Sequence, residues 1–408
     1  RFKLMLELLI FPLVVSSALI WKTRPKPEKK KQREMIEKLF EKVPLVVQER
    51  DKNGRSYLKR PKLEYEREYK WGTVLKYRLP IGVSYRMIAE RVDLAMVIED
   101  TINRDVEVDF DDFLIIRIFR HRLPTFVPFT TSMLERVKNN SYKVVIGVDH
   151  GSRGYNKCKI APHMVSGGMT RYGKSVVLTL LITQLALTCD DVKFHLFDLK
   201  GGLAFNRFKR LPQTVSVSRD KKESLQNLKR VRNDIIQRQR YFEEKGYEDI
   251  GEAIANGEDF GRHLIIVDEA SVLAPKDRSD QEGNQIRDIL EFIAQVSGGM
   301  GYNLIMCSQY PTADILPRQV KQNSDAKLSF RLPTGYASNV ILDEEGASNL
   351  PYGQRGRAIY KTDLKKMIQV PMITNEQIDE WLGPLRIDKE GEQYEIVDER
   401  RSDIIQFG

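Results

Sequence analysis

Eight consecutive residues of this chain have the types and spacing to hold a polyphosphate: Gly168, Met169, Thr170, Arg171, Tyr172, Gly173, Lys174 and Ser175, in the pattern G-x-x-x-x-G-K-S. Glycine at both ends lets a backbone curl until its N–H groups face phosphate oxygens. Lys174 is the residue expected to neutralise the β- and γ-phosphates, and Ser175 the one expected to ligate Mg²⁺. Met164 and Val165 read as the end of a buried strand before the loop. The apolar run Val176–Leu187 after it has helical length and brings the positive end of a helix dipole to the same place. This strand–loop–helix context predicts a site for ATP with Mg²⁺, against the plainer reading of a Gly-rich turn.

Farther along, Leu264-Ile-Ile-Val-Asp268-Glu269 reads as an apolar strand tipped by two carboxylates. Asp268 is expected in the Mg²⁺ shell, and Glu269 as the general base that polarises the attacking water. The alternative for Glu269 alone is an acid at a helix N-terminus. A third strand, Leu304–Cys307, ends at Ser308 and Gln309. Parallel strands deliver their C-terminal ends to one edge, so Gln309 is expected near the γ-phosphate or its water; a polar loop start is the alternative. Asp198-Leu-Lys200-Gly201-Gly202 ends another strand there, and its glycines allow a close backbone approach or a plain turn. Arg207, Lys209 and Arg210 form a basic loop that could meet phosphates or water. Polymer-moving enzymes commonly complete the site with a neighbour's arginine. Arg331 is the first choice for that role, before Arg318, Arg355 and Arg357.

The elements that must position these groups alternate from Val144 onward. Short β-rich runs at Val144–Val148, Met164–Val165, Val192–Phe197, His263–Val267, Asn303–Cys307, Lys327–Leu332 and Arg357–Tyr360 are separated by helices. That alternation predicts an α/β domain with a mostly parallel central sheet covered on both faces. Before it, strands at Thr73–Leu79, Val106–Phe110 and Phe113–Phe119 and a helix over Tyr85–Ile98 predict a small α/β unit.

The N-terminus differs in kind. Leu4–Trp21 is almost uninterrupted apolar sequence, and about 18 residues at ~1.5 Å each give roughly 27 Å, enough to cross a hydrocarbon core. Lys22, Arg24, Lys26, Lys29, Lys30 and Lys31 follow at once, which places everything downstream in the cytoplasm. Lys22–Lys42 then has helical spacing at Met35, Ile36, Leu39 and Phe40, with a solvated linker as the alternative. The net charge of +9 suits an anionic partner, although part of the excess sits beside the apolar segment. Three cysteines without metal-ligand spacing and five histidines speak against a structural zinc site.

Taken together, the strand into "HMVSGG…GKS", the "DLK" after the next strand, "IIVDEA", "SQYPTADILPRQVKQNSDAKLSFRL" and "ILDEEGASNLPYGQRGRAIY" resemble the FtsK/SpoIIIE family of DNA-pumping ATPases. The likeness runs from about Ile146 to Met372 and is ordered throughout. It implies a RecA-like P-loop motor, ATP hydrolysis, DNA as substrate and a homohexamer. Within that family the chain looks most like the coupling ATPases of Gram-positive conjugative elements, which pair one or two spanning helices with a small domain and a single motor. Met169-Thr-Arg-Tyr172 departs from the T-T-G-S usual between the loop glycines. The residues after the motor are too few for the polarity-reading winged helix of the chromosome pumps.

The domain division expected on this basis is 1–21 transmembrane helix, 22–62 basic juxtamembrane segment, 63–125 small α/β domain, 126–372 motor and 373–408 tail. The expected setting is the cell membrane. DNA, single-stranded by analogy with conjugation, is expected to be handed with its relaxase to a type IV secretion channel. Septal translocation of duplex DNA is the nearest alternative, and a protein-secretion ATPase of the same superfamily the next.

Overall fold

The structure, a computed structural model, describes residues 28–84, 94–138, 142–150, 156–159 and 163–387. The apolar stretch expected to span a membrane lies outside these residues, as does the first part of the helix expected from Tyr85. Among the described residues no helix is long and apolar enough to cross a membrane. The chain divides into two compact units between Arg122 and Leu123.

In the first unit, helix α1 (Glu28–Lys42) buries Ile36, Leu39 and Phe40, so its apolar stripe packs and the segment is not a solvated linker. Strands β1 (Val47–Arg50) and β2 (Ser56–Lys59) form a short antiparallel ribbon. Strands β3 (Lys62–Tyr69), β4 (Gly72–Arg78), β5 (Val106–Asp111) and β6 (Phe113–Phe119) make an antiparallel sheet in the order β3-β4-β6-β5. Helix α2 (Leu94–Ile102) adds Leu94, Ile98 and Ile102 to the core. Phe40 meets the buried Tyr77 ring edge-on at 5.0 Å. Strand β3, sequence KLEYEREY, is largely exposed and gives no alternation to read. Its partner in the sheet is β4, and its charges mark a protected edge.

The second unit holds the large sheet. Its strands are β7 (Lys143–Gly147), β8 (Asn156–Lys159), β9 (His163–Gly167), β10 (Lys193–Phe197), β11 (Thr214–Ser218), β12 (His263–Val267), β13 (Tyr302–Ser308), β14 (Ala326–Phe330), β15 (Arg357–Lys361) and β16 (Lys365–Gln369). Eight of them are ordered β11-β10-β12-β13-β9-β14-β15-β16. The expectation of a mostly parallel sheet holds from β11 to β14 and is corrected at the far edge, where β14, β15 and β16 pair antiparallel. The reason is local. Gly356 donates its N–H to the Tyr172 carbonyl at 2.9 Å, so β15 starts from the edge at which β14 ends and must run back. Strand β7, expected among the alternating strands, instead pairs with β8, and Val148 bridges to Gln369.

Successive residues of the central strands enter opposite cores, as a two-residue period requires. Leu264, Ile266, Ile305 and Cys307 face one core, where helix α3 (Lys174–Thr188) packs. Ile265, Val267, Leu304 and Met306 face the other, against α4 (Lys221–Lys245), α5 (Gln281–Val296) and α6 (Gly335–Leu342). Helix α3 is apolar all round because it is buried all round. Its one central amide, Gln184, accepts from Val145 N–H at 2.8 Å and donates to Val145 C=O at 3.0 Å, which ties β7 to the helix. Helix α7 (Asn375–Leu382), in the segment expected to be a tail, opens with a capping box between Thr374 and Gln377. Its Ile378 and Leu382 lie in the α3-side core, so packing continues well past residue 373.

Three histidines, His163 and His195 buried and His263 half-buried, sit in this unit in hydrogen bonds that need neutral rings. His163 Nδ1 accepts from Leu304 N–H at 3.1 Å. Arg238 donates to His263 Nε2 at 3.3 Å, leaving His263 Nδ1 to donate to His195 Nε2 at 3.0 Å. Burial lowers all three, to about 4 for His163 and His195 and about 2 for His263, whose neighbours His195 and Arg238 add to the effect. Groups depressed in the fold stabilise it above their unfolded value near 6.5 and lose that stabilisation as pH falls toward the folded values. Each is expected to cost up to about 2 kcal/mol between pH 7 and pH 5. Asp268, shifted the other way, offsets only part of this. Thermal unfolding should show a steep fall in Tm over that interval. A flat profile would contradict neutral rings at these three positions.

Candidate functional site

The loop between β9 and α3 is shaped by one aromatic ring. Phe330, fully buried at the end of β14, lies under both loop glycines. A Cβ on Gly168 would come within 2.7 Å of Phe330 Cβ, and one on Gly173, whose φ is 128°, within 2.7 Å of Phe330 Cε1. The loop is further pinned by Gly168 N–H to Ser308 C=O at 3.3 Å and Met169 N–H to Arg331 C=O at 2.9 Å. Arg171 takes a left-handed conformation, φ 67°, at the tip. Helix α3 starts at Lys174, so the first amides of its opening turn have no intrahelical acceptor and point out of the helix end. Gly173→Ala is expected to weaken ATP binding about tenfold to a hundredfold, from an overpacking cost of about 1–3 kcal/mol. Titration with a fluorescent ATP analogue reads this, with thermal unfolding confirming that the variant is folded.

Lys174 is the observation that tests whether a polyphosphate fits. Its side chain is only 6% exposed, yet Nζ has no hydrogen-bond partner and stands 3.8 Å from Glu269 Oε2. Burial lowers this ammonium to about 8, against the opposing pull of Glu269. A buried cation without hydrogen bonds is costly, and phosphate oxygens at the loop would supply what is missing.

The two carboxylates at the end of β12 are held differently. Asp268 accepts from Leu199 N–H at 3.0 Å. Burial raises it to about 6, with Asp198 and Glu269 adding to the shift and Lys200 opposing it. A divalent cation would reverse that penalty. Among the described residues no group of three or more His, Cys, Asp or Glu could hold a metal ion. One carboxylate, Asp268, with the Ser175 hydroxyl, phosphate oxygens and water is a donor set that would suit Mg²⁺.

Glu269, 5% exposed, has partners on both oxygens. Its Oε1 accepts from Ser271 Oγ at 2.9 Å, Ser308 Oγ at 3.2 Å and Gln309 N–H at 3.2 Å. Its Oε2 pairs with Lys200 Nζ at 3.0 Å. Burial works to raise this carboxyl, but Lys174, Lys200 and Ser271 outweigh it and hold it below its ordinary value.

Gln309 belongs to the same cluster. Its side-chain Oε1 accepts from Thr170 Oγ1 at 2.8 Å, joining the third strand to the phosphate loop. Arg331 lies beside the loop of its own chain: its carbonyl accepts from Met169, its guanidinium donates to the Leu350 carbonyl, and Tyr352 stacks beside it at 5.8 Å. Arg357 is buried and spent on Gln369, Leu123 and Pro124 oxygens, a structural use. Arg207 pairs with Asp379, whereas Lys209 and Arg210 are exposed. Sequence reasoning missed the role of Phe330 and the Lys200–Glu269 pair. Only the lysine carried a signal, its place just past a strand end that also bears Asp198.

Comparison with known proteins agrees with this geometry. The profile of the FtsK/SpoIIIE family matches residues 128–331. The DNA translocase FtsK of Chlorobaculum tepidum is 26% identical over 277 residues, 62% of this chain and 34% of that protein. The DNA translocase SpoIIIE of Bacillus subtilis is 28% identical over 204 residues, 46% of this chain and 25% of that one. The chain thus spans about a third or less of the length of these curated relatives. Among solved structures, the pCW3 conjugation coupling protein TcpA, in its monomer form with ATPγS, superposes with a TM-score of 0.60 at 20% identity. That likeness covers 87% of this chain and 99% of TcpA. The cytoplasmic domain of the Thermomonospora curvata type VII secretion ATPase EccC follows, with a TM-score of 0.52 at 21% identity over 65% of this chain and 32% of that one. At these identities the structural likenesses speak to the fold. The ordered motifs, the matched half of the sequence and a phosphate loop facing an acidic strand tip converge on one assignment: the chain belongs to the FtsK/SpoIIIE family, as a P-loop ATPase.

Proposed function

We propose that this chain is an ATP-driven DNA translocase of the conjugative coupling type. It would work as a RecA-like homohexamer anchored in the cell membrane through Leu4–Trp21, with the motor in the cytoplasm, and pass DNA and its relaxase to a type IV secretion channel. The supporting observation is the extent of the TcpA likeness, which takes in 87% of this chain and 99% of TcpA, whereas the FtsK and SpoIIIE relatives match over 34% and 25% of their lengths.

In this reading the loop amides and Lys174 bind and orient the triphosphate. Glu269 receives the proton of the attacking water, and Gln309, tied to Thr170, links the γ-phosphate position to the loop. Ser175 and Asp268 would hold the Mg²⁺ that accompanies ATP, and that ion would supply charge neutralisation. Lys209 and Arg210 offer exposed positive charge to a phosphate backbone. A neighbouring subunit supplies an arginine, for which Arg331 is the first residue to replace.

ATP hydrolysis by the purified chain, measured without DNA and with single-stranded or duplex DNA, tests the reading. Stronger stimulation by single strands is the expected result. Stimulation by duplex alone favours septal translocation. Indifference to both forms overturns the DNA reading and leaves a protein-secretion ATPase of the same superfamily as the alternative.

A further inference from the structure

Both oxygens of Glu269 are engaged in the nucleotide-free site. In the hydrolysis assigned to it, a water oxygen bonds to the γ-phosphorus, the bond to the ADP oxygen breaks with its electron pair, and the water proton passes to the carboxylate. That proton needs an unoccupied lone pair facing the water. Ser271, Ser308 and the Gln309 amide take Oε1, while Lys200 and Lys174 flank Oε2. Lys174 is drawn away by phosphate when nucleotide binds. Lys200 remains, at 3.0 Å, on a side chain that is 33% exposed and reached from solvent.

The segment that carries Lys200 is a short loop tied at both ends, its far end by Phe205 N–H to Asp198 Oδ2 at 2.8 Å. Its strand side is fastened by Asp198 N–H to Ser218 C=O at 2.8 Å and by Leu199 N–H to Asp268. Directly after the lysine come Gly201 and Gly202, with φ of 86° and 73°, and then Leu203, 78% exposed. A Cβ on Gly201 would meet nothing within 4 Å, so the backbone there is uncrowded. Two tied ends, a glycine pair and an exposed apolar tip at Leu203 make a short arch that carries the ammonium.

We propose that Lys200 is a positioning residue that restrains Glu269: it keeps the general base paired until displacement of the 200–203 loop by bound DNA withdraws the ammonium. The proposal rests on Glu269 as the base, and its test separates the two. The DNA-free turnover of Lys200→Met and Lys200→Gln is compared with the unaltered chain, with Lys200→Arg, and with Glu269→Gln as control.

Both neutral variants should hydrolyse ATP several-fold faster without DNA at unchanged KM, with the added stimulation by DNA correspondingly reduced. Lys200→Arg should restore the slow basal rate. An inactive Glu269→Gln alongside neutral variants that are unaltered or slower, or that change KM and not kcat, overturns the restraint alone. A fully active Glu269→Gln overturns the base assignment instead. Loss of folding in both neutral variants would make Lys200 a structural clamp and would equally overturn the restraint.

Discussion

Lys174→Ala abolishes ATP hydrolysis, with kcat/KM expected to fall by at least about 10²–10³, the loss typical of one preorganised electrostatic contact. The size of the effect follows from the site. Lys174 is buried, its Nζ lacks a hydrogen-bond partner, and burial depresses its protonation. The fold therefore maintains a charge that its own contacts do not satisfy, as binding sites do at the expense of stability. A second expectation separates this from general damage. Lys174→Met keeps the aliphatic stem and removes the desolvated ammonium, so its nucleotide-free Tm should equal or exceed that of the unaltered protein while hydrolysis is lost. A Tm well below the original would mean that the ammonium stabilises the fold, contrary to its burial.

Glu269→Gln should reduce turnover by about 10²–10⁴, the span attributed to a positioned general base, while ATP binding survives. The amide oxygen can keep the three donors at the Oε1 position, Ser271, Ser308 and Gln309 N–H. The amide NH₂ then faces the Lys200 and Lys174 ammoniums, a donor against donors. That conflict is eased when phosphate engages Lys174, so the variant should hold ATP at least as tightly as the original. Equilibrium binding beside single-turnover hydrolysis reads both halves. Weakened binding with normal turnover would assign Glu269 to nucleotide capture.

The phosphate loop, the acidic strand tip and the alternation of buried strands with helices were legible because each is local. HLIIV and YNLIMCS are buried almost throughout and announce themselves as central strands. What escaped depends on partners remote in sequence. The antiparallel edge follows from a Gly356–Tyr172 hydrogen bond that no periodicity encodes. Strands β11 and β16, TVSVS and KKMIQ, carry mixed exposure and little apolar signal. Arg357 looked like a residue for a neighbouring site; three backbone and side-chain oxygens inside its own unit claim it. Lys200 could be placed at the right edge, but only three-dimensional proximity pairs it with Glu269.

Phe330 fills the volume that side chains at positions 168 and 173 would need, with its Cβ against the first and its ring against the second. Residues far apart along the polypeptide thus share one space, and their histories are bound together. A descendant lineage could gain room at position 173 only after the aromatic had shrunk, the shrunken intermediate would leave a hole beneath the cradle, and the positive φ there would still disfavour alanine. That ordering closes most mutational routes between this loop and a bulkier one.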